Sequence, residues 1–97
     1  MSALRFSWDP QKAATNDRKH GVSFSEAATV FMDEKAVEYP DPDHSEKEKR
    51  FIILGLSASL RVLVVCYCYR HHQTTIRIIS ARKATPREYQ FYGEHTL

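Results

Sequence analysis

Three segments rich in β-branched and aromatic residues, 50–57, 61–70 and 75–83, follow one another with only the connectors Ala58–Leu60 and His71–Gln73 between them. Connectors this short leave a chain little choice but to turn back and pair with the strand it has just left, whereas a parallel crossover needs a dozen residues or more. The second half of the sequence therefore predicts an antiparallel sheet built from hairpins. With 97 residues, 42% of them apolar, there is material for one core and one domain spanning 1–97.

The first half supplies the cover. Leu4, Phe6 and Trp8 alternate with polar residues, which predicts a short strand with those three turned inward. Asp9-Pro10 is an N-cap followed by proline at the first helical position, and Gly21 stands just past the end of a helix over 10–20 that finishes in Arg18, Lys19 and His20. Ser23 and Glu26 have the spacing of a capping box, and Phe24, Ala27, Ala28 and Phe31 form one apolar stripe of a second helix ending near Met32. A short strand over 36–39 leads into the acidic turn Pro40-Asp41-Pro42-Asp43. Thr85 and Glu88 frame another capping box, with Pro86 at its first position, opening a helix that carries Tyr89 and Tyr92 towards the sheet. The order is β-α-α-β-β-β-β-α, an α+β fold of an antiparallel sheet with two N-terminal helices and one C-terminal helix.

Several function classes drop out. There is no Gly-rich phosphate loop and no nucleophile elbow, and the longest apolar run, 62–69, is far short of the roughly 20 residues that span a bilayer. Neither membrane association nor a cofactor is expected, and the composition points to a cytoplasmic protein. Cys66 and Cys68 lie two apart in a strand, a poor arrangement for a disulfide, and read as buried thiols. His71 and His72 beyond them lack metal-ligand spacing, so no metal site is expected.

Charge is unevenly placed. Residues 1–48 carry six Lys/Arg against ten Asp/Glu, and residues 49–97 carry eight against two. Such a split suits either an anionic partner on the basic half or two halves that neutralise each other in the fold. Arg77 alternates with Ile76 and Ile78 and points away from them. The alternation then slips at Ile79-Ser80, before Arg82 and Lys83. Arg50 opens one neighbouring strand and Arg61 another. A guanidinium is a rigid fork suited to phosphate, and a strand holds it in place. Tyr67 and Tyr69 share one face of the central strand, as base-stacking platforms or as packing under the terminal helix. His20 and His44 have the chemistry for proton transfer near neutral pH.

Read together, these stretches resemble a known family. Phe6-Ser7-Trp8-Asp9-Pro10-Gln11-Lys12-Ala13, Asn16, Lys19-His20-Gly21-Val22-Ser23-Phe24, Glu26-Ala27-Ala28 and Val30-Phe31-Met32-Asp33 look like the N-terminal half of the BrnT toxins. Asp43-His44-Ser45-Glu46, Arg50, Gly55, Arg61-Val62-Leu63-Val64-Val65 and the run from Ile76 to Thr85, with Glu88 and Tyr92, look like the rest. The resemblance implies a RelE-like fold and the toxin of a bacterial type II toxin-antitoxin system. It also implies RNA cleavage that halts translation, without metal, by attack of the 2′-hydroxyl on the adjacent phosphate. The implied partner is a BrnA-like ribbon-helix-helix antitoxin, through which alone operator DNA is contacted, in a dimer of toxin-antitoxin heterodimers.

That resemblance fixes no catalytic set. From the residues, Arg50, Arg77 and Arg82 are assigned to phosphate binding and transition-state stabilisation, and His20 or Glu46 to proton transfer. Lys19, Arg61, Lys83, Tyr67 and Tyr69 are assigned to RNA binding. The competing reading is a non-catalytic module that holds RNA or protein with the same basic strands. A repressor acting alone on DNA fits less well, because no helix carries a cationic face suited to a major groove.

Overall fold

The structure, a computed structural model, describes residues 4–43 and 48–95. The chain forms β1 (Arg5–Ser7), α1 (Pro10–His20), α2 (Phe24–Thr29), a 3-10 turn (Val30–Met32), β2 (Val37–Pro40), β3 (Phe51–Leu56), β4 (Val62–Arg70), β5 (Thr75–Lys83) and α3 (Pro86–His95). This is the expected α+β order. The strands make one sheet in the order β1-β5-β4-β3-β2. β2 to β5 pair antiparallel through successive connections.

The sheet is not antiparallel throughout, because β1 joins β5 in parallel, with Phe6 opposite Ile76. Short connectors dictate pairing only between consecutive strands. β1 is separated from the rest by two helices, so its place is set by burial at the far edge. There Phe6 reaches Phe31, with ring centroids 5.4 Å apart. Phe6 and Trp8 pack against the core, but Leu4 is 54% exposed and does not follow the alternation inward.

The caps explain where the helices begin and end. The Asp9 carboxylate accepts from the Gln11 amide at 2.8 Å, and Gly21 adopts a left-handed φ of 66° while its N–H closes onto the Asp17 carbonyl. The Ser23 hydroxyl caps α2 by accepting from the Glu26 amide at 3.0 Å. The Glu26 carboxylate does not complete that box. It is drawn away to Arg61 and Ser57, a charged partner being worth more than a backbone amide.

One sheet face lies under α1, α2 and the 3-10 turn. Val22, Phe24, Ala27 and Val30 meet Ile53, Leu63, Val65, Tyr67, Ile76, Ile78 and Ala81 there, each at most 4% exposed. Gly55 lets the 3-10 turn approach: a Cβ at that position would stand 2.8 Å from Val30 Cγ1 and 2.9 Å from the Ala36 Cβ. On the opposite face α3 covers only one end, where Tyr92 packs over Leu54, Val62 and Val64 and donates to the Asp33 carboxylate at 2.6 Å. Tyr89, expected to face the sheet, is 62% exposed.

Candidate functional site

The part of the second face that α3 leaves open carries polar side chains around an apolar floor. Strand alternation alone would not make it so. Ile76, Ile78, Ser80 and Arg82 are spaced to share one face, which would drive Arg82 into the core. Between Cys66 and Tyr67 of β4 the register shifts, so that Tyr67 opposes Ile78 while Cys66 opposes Ser80. Ile79 is the extra residue of a β-bulge, and everything after it changes sides. Ala81 consequently enters the core, while Ser80 and Arg82 join Arg77 on the open face. The slip in the sequence pattern at Ile79-Ser80 is this bulge.

Among the described residues the edge of β5 beyond the bulge has no strand beside it, because β1 pairs only as far as Arg77. Asn16 of α1 takes that place. Its side-chain amide donates to the Ala81 carbonyl at 2.8 Å and to Val22 at 3.0 Å, and its oxygen accepts from the Ala81 amide at 3.1 Å. These bonds pin α1 against the bulged strand and bring its C-terminal residue, His20, to the open face.

A cleft of about 300 Å³ results, lined by His20 together with Asp41, Arg50, Cys66, Ser80 and Arg82 over a floor of Ile52 and Val64. Arg50 arrives from the entrance of β3, where its carbonyl accepts from the Asp41 amide at 3.0 Å and extends the β2–β3 ladder by one pair. The Arg50 Nε is buried, with no hydrogen-bond partner among the described residues. Arg82 is clamped instead. Its Nη1 and Nη2 donate to the two oxygens of Glu88 at 2.7 and 2.9 Å. Glu88 in turn accepts from the Thr85 amide at 2.8 Å, and its own amide donates back to the Thr85 hydroxyl, completing the capping box foreseen for α3. The Arg82 guanidinium, chiefly, holds the Glu88 carboxyl down at about 2. Cys66 donates to Asp41 at 3.5 Å, and burial together with that carboxylate pushes its thiol up to about 11. A thiol so protonated is no nucleophile at neutral pH.

The other expected site residues are dispersed. Arg77 shares the open face, opposite Cys68, but does not line the cleft. Arg61 is engaged elsewhere, in a bidentate pair with Glu26 and a bond to the Gly21 carbonyl at 3.1 Å, where it ties β4 to the loop between α1 and α2. Lys83 pairs with Leu63 on the helix-covered side, and its charge acts on Glu26. Lys19 is exposed on α1 beside His20.

Tyr67 cannot serve as a stacking platform. It is 1% exposed, wedged against Phe31 and Phe51, and its hydroxyl donates to Glu38. It packs under the N-terminal helical layer rather than under α3, because residues 63, 65 and 67 all turn to that side. Tyr69 keeps 38% of its surface, also on that side. Glu46 and His44 lie outside the described residues. Among the described residues no group of three or more His, Cys, Asp and Glu is placed to hold a metal ion, and no helix is long and apolar enough to cross a membrane. Sequence reasoning missed Asp41 and Ser80. Asp41 continues the alternation of Val37 and Tyr39, which was the available signal.

A family model described as the ribonuclease toxin BrnT of a type II toxin-antitoxin system matches residues 8–88. The chain belongs to the BrnT family. Its fold is similar to that of the Brucella abortus ribonuclease toxin BrnT, solved by crystallography, with a TM-score of 0.66, 22% identity, and coverage of 86% of this chain and 99% of that one. No curated protein matches the chain. The stretch matched to the BrnT family encloses every cleft residue and ends at Glu88, the residue that clamps Arg82. Membership in this ribonuclease toxin family implies an antitoxin partner.

Proposed function

We propose that the chain is an endoribonuclease that cuts RNA without a metal ion, at the cleft lined by His20, Arg50 and Arg82, and so inhibits translation. The observation that carries the reading is convergence: three residues from α1, the entrance of β3 and β5, far apart in sequence, meet in one cleft through a bulge and a side-chain clamp. In the reaction a ribose 2′-hydroxyl attacks the adjacent phosphorus and the 5′-oxygen of the next nucleotide leaves, giving a 2′,3′-cyclic phosphate and a 5′-hydroxyl. Negative charge grows on the non-bridging oxygens, where preorganised guanidinium groups act most strongly.

Arg50 suits that role better than Arg82, whose outer nitrogens are already shared with Glu88. The Glu88 clamp gives Arg82 a fixed direction and suits it to orient the substrate phosphate. His20 is the group for proton transfer. Asp41 within the cleft and Glu46 are carboxylates for the same proton. Arg77, further along the open face, and Lys19 beside His20 suit flanking phosphates.

The wider role follows the family: a toxin in the bacterial cytoplasm, held in check by a BrnA-like ribbon-helix-helix antitoxin. That antitoxin carries the contact with operator DNA, and the assembly is a dimer of heterodimers.

Incubating the purified chain with RNA in excess EDTA tests the chemistry. Fragments ending in 2′,3′-cyclic phosphate are expected, with Arg50→Ala losing about 10²-fold or more in rate, as for other preorganised charge stabilisers, and His20→Ala a comparable amount. RNA that is bound but left intact would instead indicate the non-catalytic module.

A further inference from the structure

The cleft does not end at His20. A second and larger depression, about 640 Å³, runs along the outer side of α1 and shares His20, Ile79 and Ser80 with the cleft, so the two form one continuous trough bent around the β5 bulge. We propose that this trough is a subsite for the phosphodiester backbone of single-stranded RNA flanking the scissile bond, held by Lys12 and Lys19. The proposal rests on the ribonuclease reading and adds to it a strand path and a residue, Lys12, that the sequence pattern did not single out.

The helix geometry makes the path. Lys12, Thr15 and Lys19 lie at i, i+3 and i+7, one stripe of α1, and all line the trough. Lys12 and Lys19 are about 10 Å apart along the axis at ~1.5 Å per residue, enough for more than one phosphate. Both are exposed, and neither has an ion-pair partner among the described residues, in contrast to Arg61, Arg70 and Arg82. The acidic residue of the same helix is turned elsewhere, since the charge of Asp17 acts on Arg61. Asp9, at the far end, is engaged with the Gln11 amide.

The lining holds no Phe, Tyr or Trp, and its one aromatic ring, His20, stands at the junction with the cleft; along α1 the planar group is Arg18, whose guanidinium donates to the Thr15 hydroxyl at 3.4 Å. A stretch of cations and hydroxyls, Lys12, Arg18 and Lys19 with Thr15, grips phosphates and is indifferent to base identity. The strand must also be unpaired, because in-line attack by a 2′-hydroxyl requires a nucleotide free of helical geometry.

The test uses the full chain and a fluorescent oligonucleotide of about twelve nucleotides carrying 2′-O-methyl groups, which binds but cannot be cut. Lys12→Ala and Lys19→Ala are each expected to weaken binding several-fold and to reduce the slope of log affinity against log salt by about 0.7, equally for different base sequences. Lys12→Arg should retain wild-type affinity. A 2′-O-methyl dinucleotide, followed through the His20 ring protons, should bind all variants alike because it fills only the cleft. Lys35→Ala, the same charge change outside the trough, is the control. Unchanged affinity and salt slope in the Lys12/Lys19 double variant, an equal effect of Lys35→Ala, or no oligonucleotide binding by the wild type overturns the subsite. Oligonucleotide binding that depends on both lysines, with no cleavage of the corresponding RNA, would overturn the ribonuclease reading and leave the subsite standing.

Discussion

Beneath α1 and α2 the sheet presents Ile53, Leu63, Val65, Tyr67, Ile76, Ile78 and Ala81, all at most 4% exposed; on its other side the same strands present Arg50, Cys66, Ser80 and Arg82 around an open cleft. The larger apolar cluster and the ring contacts, such as Trp8 on Phe24 and Phe31 on Tyr67, hold the first face; the second has a smaller cluster, Leu54, Val62 and Val64 under Tyr92, together with directed polar bonds, among them Arg82–Glu88 and Tyr92–Asp33. Stability and reactivity are therefore kept on separate faces in a chain this small. Most of the apolar burial lies on one side, so the other can carry a guanidinium nitrogen with no partner among the described residues, at a cost that the packed side absorbs.

Mutation can break this contrast. Phe24→Ala should destabilise by about 3 to 5 kcal/mol, measured as a shift in the urea midpoint, whereas Arg50→Ala should leave stability within about 1 kcal/mol while slowing RNA cleavage by about 10²-fold or more. A loss of stability from Arg50→Ala as large as that from Phe24→Ala would end the division of labour between the faces.

Asn16 sharpens the contrast because it links the two sides. Asn16→Ala strands the Ala81 amide and carbonyl and the Val22 carbonyl, and should cost about 1 to 3 kcal/mol. Hydrogen exchange should rise at Ala81 well before the core of β4 is affected.

The smallest effect belongs to the clamp over the cleft. The Glu88 carboxyl is depressed from 4.5 to about 2, chiefly by Arg82, so its contribution is complete above its unfolded value and fades as pH falls from there towards about 2. The groups are partly exposed, which limits the contribution to about 1 kcal/mol after screening. Glu88→Gln should therefore lower the melting temperature modestly at pH 7 and flatten its decline in acid; a decline as steep as in the wild type would show that other carboxylates dominate acid unfolding.

Much of the cleft was legible in the sequence, and the reasons differ by residue. His20 could be placed because a helix with Asp9 at one end and Gly21 at the other must finish there. Arg82 was marked by the break in alternation at Ile79-Ser80. Arg61 and Lys83 look equivalent to Arg50 and Arg82 in sequence, yet Arg61 neutralises Glu26 and Lys83 faces the helix-covered side. The charge split was ambiguous for the same reason. Glu26–Arg61 and Glu48–Arg70 join acids of the first half to arginines of the second, so part of the asymmetry is internal complementarity and part remains at the cleft and the trough.

Helix ends and hairpins were legible in the sequence, since each depends on groups within a few residues of one another and on backbone geometry that short-range sterics dictate, whereas the Glu26 arm of the α2 capping box and the outward turn of Tyr89 were not. The parallel docking of β1, the side of the sheet to which Arg82 turns, the acid that meets each arginine and the meeting of His20 with Arg50 were decided only by the tertiary structure. They depend on register and packing between segments tens of residues apart, where a one-residue bulge reverses every side chain that follows it.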